Sequence, residues 1–180
     1  MSKKEEWPAI RPQFDAEPRV IVFLDFDGVL HPDPCLEATR LFENAPRLAQ
    51  ALEDFPEVAL VLSTAWRHTR PYEQLLEPLP APLRERIIGS TPTFGDFETR
   101  TALIPYRRQA ECMHWMQQSR LQDEPWLALD DRPSGFTPYC DNLIGCHPKY
   151  GFDASVCARL RSALQRHFQG RSRAVDLLIG

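Results

Sequence analysis

Apolar residues along this chain fall in short, nearly unbroken runs separated by stretches of helical period. Val20 to Leu24, Val58 to Leu62 and Trp126 to Leu129 are such runs. They match strands covered on both faces of a parallel sheet, where no polar alternation is needed. Asn142 to Cys146 reads as a further strand. Leu41, Ala45, Leu48, Leu52 and Phe55 recur at helical spacing and form one stripe of an amphipathic helix, with Asn44 and Pro46 suited to its regular start. Residues 105–119 read as a second helix with Pro105 in its first turn. Val156, Leu160, Ala163 and Leu164 mark a third. Residues 71–103, rich in Pro and Arg, carry no period that assigns them. Residues 1–18, polar and punctuated by Pro8, Pro12 and Pro18, read as a flexible N-terminal arm, leaving 19–180 as one domain. Strand alternating with helix predicts an α/β protein: a three-layer α/β/α sandwich around a parallel sheet with right-handed crossovers.

Three of the apolar runs end in polar residues: Asp25-Phe26-Asp27-Gly28 after the first, Ser63-Thr64 after the second, Asp130-Asp131 after the third. In a parallel sheet these ends share one edge, and ligands bind there. Carboxylates and a hydroxyl from distant segments would then line one cavity. Acids beside a fully apolar strand are costly unless a cation or proton neutralises them, and hard carboxylate oxygens suit Mg²⁺. Gly28 allows the chain to turn tightly directly after the two acids. The plainer reading of Asp25 and Asp27, as residues that cap a turn, explains neither the pairing nor the repeat of the pattern at the third strand.

Composition narrows the setting. Net charge is −4 and sequence pI about 5.7, so no global basic field argues for nucleic acid. The cations are 18 Arg against 3 Lys, a bias that genomic base composition explains without chemistry. No apolar run is long enough to span a membrane, and the first residues lack the apolar core of a signal peptide. Five cysteines without a C-x-x-C pair read as reduced thiols of a cytoplasmic protein.

The order Asp-x-Asp-Gly-Val, strand-Ser-Thr, a basic residue at a helix start, then strand-Asp-Asp resembles the haloacid dehalogenase (HAD) superfamily of phosphohydrolases, over about residues 19–150. Leu62-Ser63-Thr64-Ala65-Trp66-Arg67 and Leu129-Asp130-Asp131-Arg132-Pro133 look closest to the HAD domain of Swiss Army Knife RNA-repair proteins. The resemblance implies a Rossmann-like sheet and a site with assigned roles. Asp25 would be the nucleophile that forms an aspartyl-phosphate, and Asp27 the general acid and base. Mg²⁺ would be held by Asp25, the Asp27 carbonyl and an acid of the Asp130-Asp131 pair, with Asp131 as the direct ligand and Asp130 in support. Ser63 would donate to a phosphoryl oxygen, with the Thr64 N–H nearby.

The basic residue has two candidates. Arg107 shares a helix face with Glu111 and His114, whereas Arg108 shares one with Cys112, Trp115 and Met116, the apolar stripe. A first-turn arginine on the buried face reaches the sheet edge, so Arg108 is the expected residue, in place of the lysine usual in the superfamily. Arg67 is a candidate substrate contact, with a solvated helix-start arginine as its alternative. Trp66 reads as packing, with base stacking as the other reading. His31 reads as a loop histidine and Asp141 as a turn acid. Arg159, Arg161, Arg171 and Arg173 read as solvated surface.

Access to the site bears on substrate. Only 35 residues separate Asp27 from Ser63 and 44 separate Ser63 from Arg108. Neither gap suits an inserted cap domain of about 50 residues or more, so little or no cap is expected. An open site fits a bulky phosphorylated substrate, such as an RNA or DNA end. The expected activity is a Mg²⁺-dependent phosphatase. A phosphotransferase using the same intermediate, or a binding module that keeps the fold without turnover, are its alternatives. The sequence fixes neither the substrate nor the oligomeric state.

Overall fold

A computed structural model describes residues 20–179 of the chain; the arm expected at 1–18 and the side chains of Arg171 and Arg173 lie outside the described residues. Five parallel strands form one sheet: β1 (Val20–Leu24), β2 (Val58–Leu62), β3 (Ile87–Ser90), β4 (Trp126–Asp130) and β5 (Leu143–Gly145), in the spatial order β3-β2-β1-β4-β5. Every residue of β1 and β2 is buried, which is why their sequences run apolar without alternation.

Helices α1 (Ala45–Ala51), α2 (Tyr72–Leu76), α3 (Ala81–Arg84) and α5 (Ala154–Ile179) cover one face, and α4 (Arg107–Gln118) the other. The strand period of two sorts the core accordingly. Val20, Val22 and Leu24 pack with Leu48, Leu83, Leu160 and Leu164. Ile21 and Phe23 pack with Cys112, Trp115 and Met116 of α4, Phe23 meeting Trp115 and Trp126 edge-on at 5.9 and 5.8 Å. This is the α/β sandwich expected from the pattern. Among the described residues no helix is long and apolar enough to cross a membrane.

Register positions the polar strand ends. Leu24 of β1 pairs with Leu62 of β2 and with Leu129 of β4. The next residue on each strand is therefore level with the others, and those residues are Asp25, Ser63 and Asp130. Their alignment at one edge is a consequence of sheet register rather than of loop folding.

Several local expectations need correction. The first helix covers only Ala45–Ala51, since Phe42 adopts a left-handed φ of 60° and turns inward while Leu41 is left 41% exposed. Asn44 precedes that helix, yet its side chain donates to the Val29 and Tyr150 carbonyls instead of capping it. Pro105 lies before α4, which starts at Arg107. The unassigned 71–103 stretch contains α2, α3 and the edge strand β3. Arg159 is exposed, as expected, with its guanidinium on the Gly145 carbonyl, whereas Arg161 is half-buried and fastens α5 to the Ala51 carbonyl and to Asp54 at 2.6 Å.

Candidate active site

The chain leaves β1 in one direction to form β2 and β3 and later returns on the other side as β4. The crevice between the β1 and β4 ends is thus the switch point at which an open α/β sheet binds ligands. Asp25 sits at its centre, its N–H donating to the Leu129 carbonyl at 3.1 Å. Asp25, Ser63, Thr64 and Asp130 are all buried there.

Asp25, Asp130 and Asp131 each offer an oxygen within 4.8 Å of the others. Their oxygens are unequally engaged. The Phe26 N–H donates to Asp25 Oδ1 at 2.7 Å, and the Arg132 N–H donates to Asp130 Oδ1 at 2.7 Å. Asp130 Oδ2 and Asp131 Oδ1 are buried with no hydrogen-bond partner. Burial is the main cause that lifts all three carboxyls above the ordinary carboxylate range, opposed at Asp25 by the Arg108 guanidinium. Asp130, which also faces Asp25, is pushed up to about 7. Three clustered acids, two of them with an unpartnered buried oxygen, form a donor set suited to a hard divalent cation such as Mg²⁺. Asp130 is the more engaged of the doubled pair, with Arg108 Nε 3.5 Å from its Oδ2. Asp131 lies against Gly28, whose φ is +66° and where a Cβ would come within 2.3 Å of Asp131 Oδ2. Only glycine permits that approach.

Arg108 enters from the first turn of α4 on its buried face. Its Nη2 donates to Asp25 Oδ2 at 3.1 Å and its Nη1 donates to the Ser63 carbonyl. The aliphatic stem runs past Gly135, in the turn after β4, where a Cβ would lie 2.9 Å from Arg108 Cγ. Arg107 is exposed, with its guanidinium 5.2 Å from the Phe94 ring centre. Of the two arginines, the structure brings Arg108 to the acids.

Arg67 departs from the solvated reading. Its side chain is only 5% exposed and pairs with Glu111 Oε2 at 2.6 Å, while Nη1 donates to the Ser63 and Thr64 carbonyls. The guanidinium braces the end of β2 from within instead of facing the solvent. Glu111, placed by helical period on the polar face, is buried for the same reason, and its other oxygen accepts from the Phe94 N–H at 2.9 Å. Thr64 is fully buried and its hydroxyl accepts from the Trp66 N–H at 3.3 Å, which caps the turn Ala65–His68. Asp141 is exposed and outside the acid cluster.

Asp27 has a different environment. Trp66 Nε1 lies 3.1 and 3.0 Å from its two carboxylate oxygens, and His31 Nε2 lies 3.1 Å from Oδ1. These hydrogen bonds, that of His31 foremost, hold the Asp27 carboxyl below the usual carboxylate range although partial burial works against them. His31 is 1% exposed and sits against Phe42 and Trp66, with ring centres 5.0 and 5.8 Å away. Neither residue's role follows from period or motif; the one available signal is that His31 falls four positions after Asp27. The indole is closed to base stacking on the face that the Arg70 guanidinium covers at 4.0 Å.

Between β1 and α1 the chain forms only a short turn at Ala38–Arg40, and between β2 and α4 it forms α2, α3 and β3, the last a strand of the main sheet. No separate cap is built from these residues. All five cysteines are free thiols.

Residues 21–156 match the family model described as the HAD domain in Swiss Army Knife RNA repair proteins. Among curated proteins and among solved structures, nothing matches the chain.

Proposed function

Because the chain belongs to the family of HAD domains in Swiss Army Knife RNA repair proteins, we propose that it is a Mg²⁺-dependent phosphomonoesterase. The observation that carries this reading is the gathering of Asp25, Asp130 and Asp131 within 4.8 Å while Arg108 reaches Asp25 at 3.1 Å. That arrangement pairs a nucleophilic carboxylate with positive charge where a phosphoryl group would lie.

Asp25 attacks phosphorus and the ester oxygen departs, leaving an aspartyl-phosphate. Asp27 protonates the departing oxygen and later takes a proton from the water that hydrolyses the intermediate. Arg108 steadies the Asp25 carboxylate and balances the charge of the phosphoryl oxygens. Ser63 and the Thr64 N–H lie on the same rim to receive those oxygens. Asp25, Asp131 and the Asp27 carbonyl would hold Mg²⁺, with Asp130 fixing the turn through Arg132. Bound there, the ion supplies positive charge that neutralises the acids and draws charge from the phosphoryl group.

The family's description and the uncapped rim support a phosphorylated RNA or DNA end as substrate. A panel of nucleotides, sugar phosphates and 5′- and 3′-phosphorylated oligonucleotides, assayed with and without Mg²⁺, tests the proposal. Phosphate release that requires the metal is expected, with oligonucleotide ends turned over best. Absence of turnover on every substrate at saturating Mg²⁺ would remove the reading.

A further inference from the structure

Two side chains with no part in the acid cluster converge on Asp27. We infer that Trp66 and His31 are positioning residues that fix the Asp27 carboxylate for its work on water in the second half of the reaction. The inference rests on the proposed role of Asp27.

The geometry leaves Asp27 little freedom. The indole N–H meets both carboxylate oxygens, at 3.1 and 3.0 Å, while His31 Nε2 meets Oδ1 at 3.1 Å. Both partners are themselves held. Trp66 lies edge-on to Phe26 and Phe42, with ring centres 5.7 and 5.5 Å apart, and its backbone N–H is capped by the Thr64 hydroxyl. His31 is sealed beneath Phe42 and Trp66. A carboxylate on a turn would otherwise sample several rotamers. Two donors on rigid aromatic supports select one of them.

The second half of the reaction depends on this most. A water oxygen attacks the phosphorus of the aspartyl-phosphate, and its proton passes to an Asp27 oxygen. The bond from phosphorus to Asp25 oxygen breaks, its electron pair returns to the Asp25 carboxylate, and inorganic phosphate leaves. No choice of substrate relieves the need for that proton acceptor. In the first half, by contrast, a good leaving group departs as an anion and needs no proton.

An aryl phosphate with a nitro-substituted phenol therefore separates the two halves. In rapid mixing with the Mg²⁺-loaded protein, Trp66→Phe retains the aromatic packing and removes the N–H. The expected result is an initial burst of phenolate at the rate of the unaltered protein, followed by steady turnover slowed about tenfold or more. His31→Phe should give the same split and serves as the second variant if Trp66→Phe does not fold. His31→Gln, which keeps a donor, should recover part of the steady rate. A burst and a steady rate that fall together, or a steady rate that does not change, overturns the inference. Asp27→Asn is run beside them. If it lacks the split, the role of Asp27 itself is wrong; if it shows the split and the Trp66 and His31 variants do not, only the positioning role fails.

Discussion

Asp25 and Asp27 are two residues apart, yet they sit in opposite electrical surroundings. Asp25 is buried among Asp130 and Asp131, and burial lifts its carboxyl above the ordinary range. Asp27 is 28% exposed in its side chain and held by two N–H donors, which lower it. The first environment lacks positive charge, supplied in part by Arg108, and calls for a cation. The second is already satisfied by the Trp66 and His31 hydrogen bonds and calls for none. Environments that drive neighbouring acids apart assign them different work. Here one side of a single turn reads as the place for metal and covalent chemistry, the other as the place for proton transfer.

Asp25→Asn should separate the sides most sharply. Turnover of an aryl phosphate should fall on the order of 10⁴-fold, while circular dichroism and melting temperature are maintained or improved, because a like charge leaves the cluster. Retained turnover would take Asp25 out of the covalent role. Arg108→Ala should slow steady turnover by about 10²- to 10³-fold, with Arg107→Ala close to the unaltered protein; the reverse order would break the assignment of the helix face. Asp131→Asn should raise the half-saturating Mg²⁺ concentration about 100-fold or more, at or beyond the upper end for residues that only support a ligand. The same titration on Trp66→Phe should leave that concentration unchanged. An unmoved metal requirement in Asp131→Asn would shift the ligand to Asp130.

A smaller effect lies in stability against pH. Asp130 stands at about 7 in the folded protein against an ordinary value of 3.8, so the folded state binds the proton more readily than the unfolded one between these limits. Stability of the metal-free protein should therefore decline as pH rises from about 4 to about 7. Saturating Mg²⁺ or Asp130→Asn should flatten the slope, read as melting temperature across that range. A slope that persists in both would mean that the acids are not the source.

The central strands were legible because β1, β2 and β4 are buried on both faces and so wear continuous apolar runs. Their polar ends were legible for the same reason: once the strands are parallel neighbours, register alone lines up Asp25, Ser63 and Asp130. The outer strands gave weaker signals. Ile87–Ser90 has four residues, one of them glycine, and Leu143–Gly145 has three, too few for a period to emerge. The helix stripe from Leu41 to Phe55 was overextended because Phe42 keeps its side chain inside by leaving helical geometry. Partnerships between side chains were least accessible. Glu111 falls on the polar face by spacing, and only the arrival of Arg67, 44 positions away, makes its burial tolerable. Trp66 and Asp27 lie 39 positions apart, and nothing in either segment names the other.

The hollow beside Arg108 at Gly135, like the one beside Asp131 at Gly28, makes these positions moulds for charged groups that come from elsewhere in the chain. Neither glycine carries a side chain that could act on a phosphate. An alanine at Gly28 should nonetheless mimic injury to Asp131, and one at Gly135 should mimic loss of the Arg108 guanidinium. Part of what specifies this centre is thus written as vacancy, at positions that a search for reactive side chains passes over.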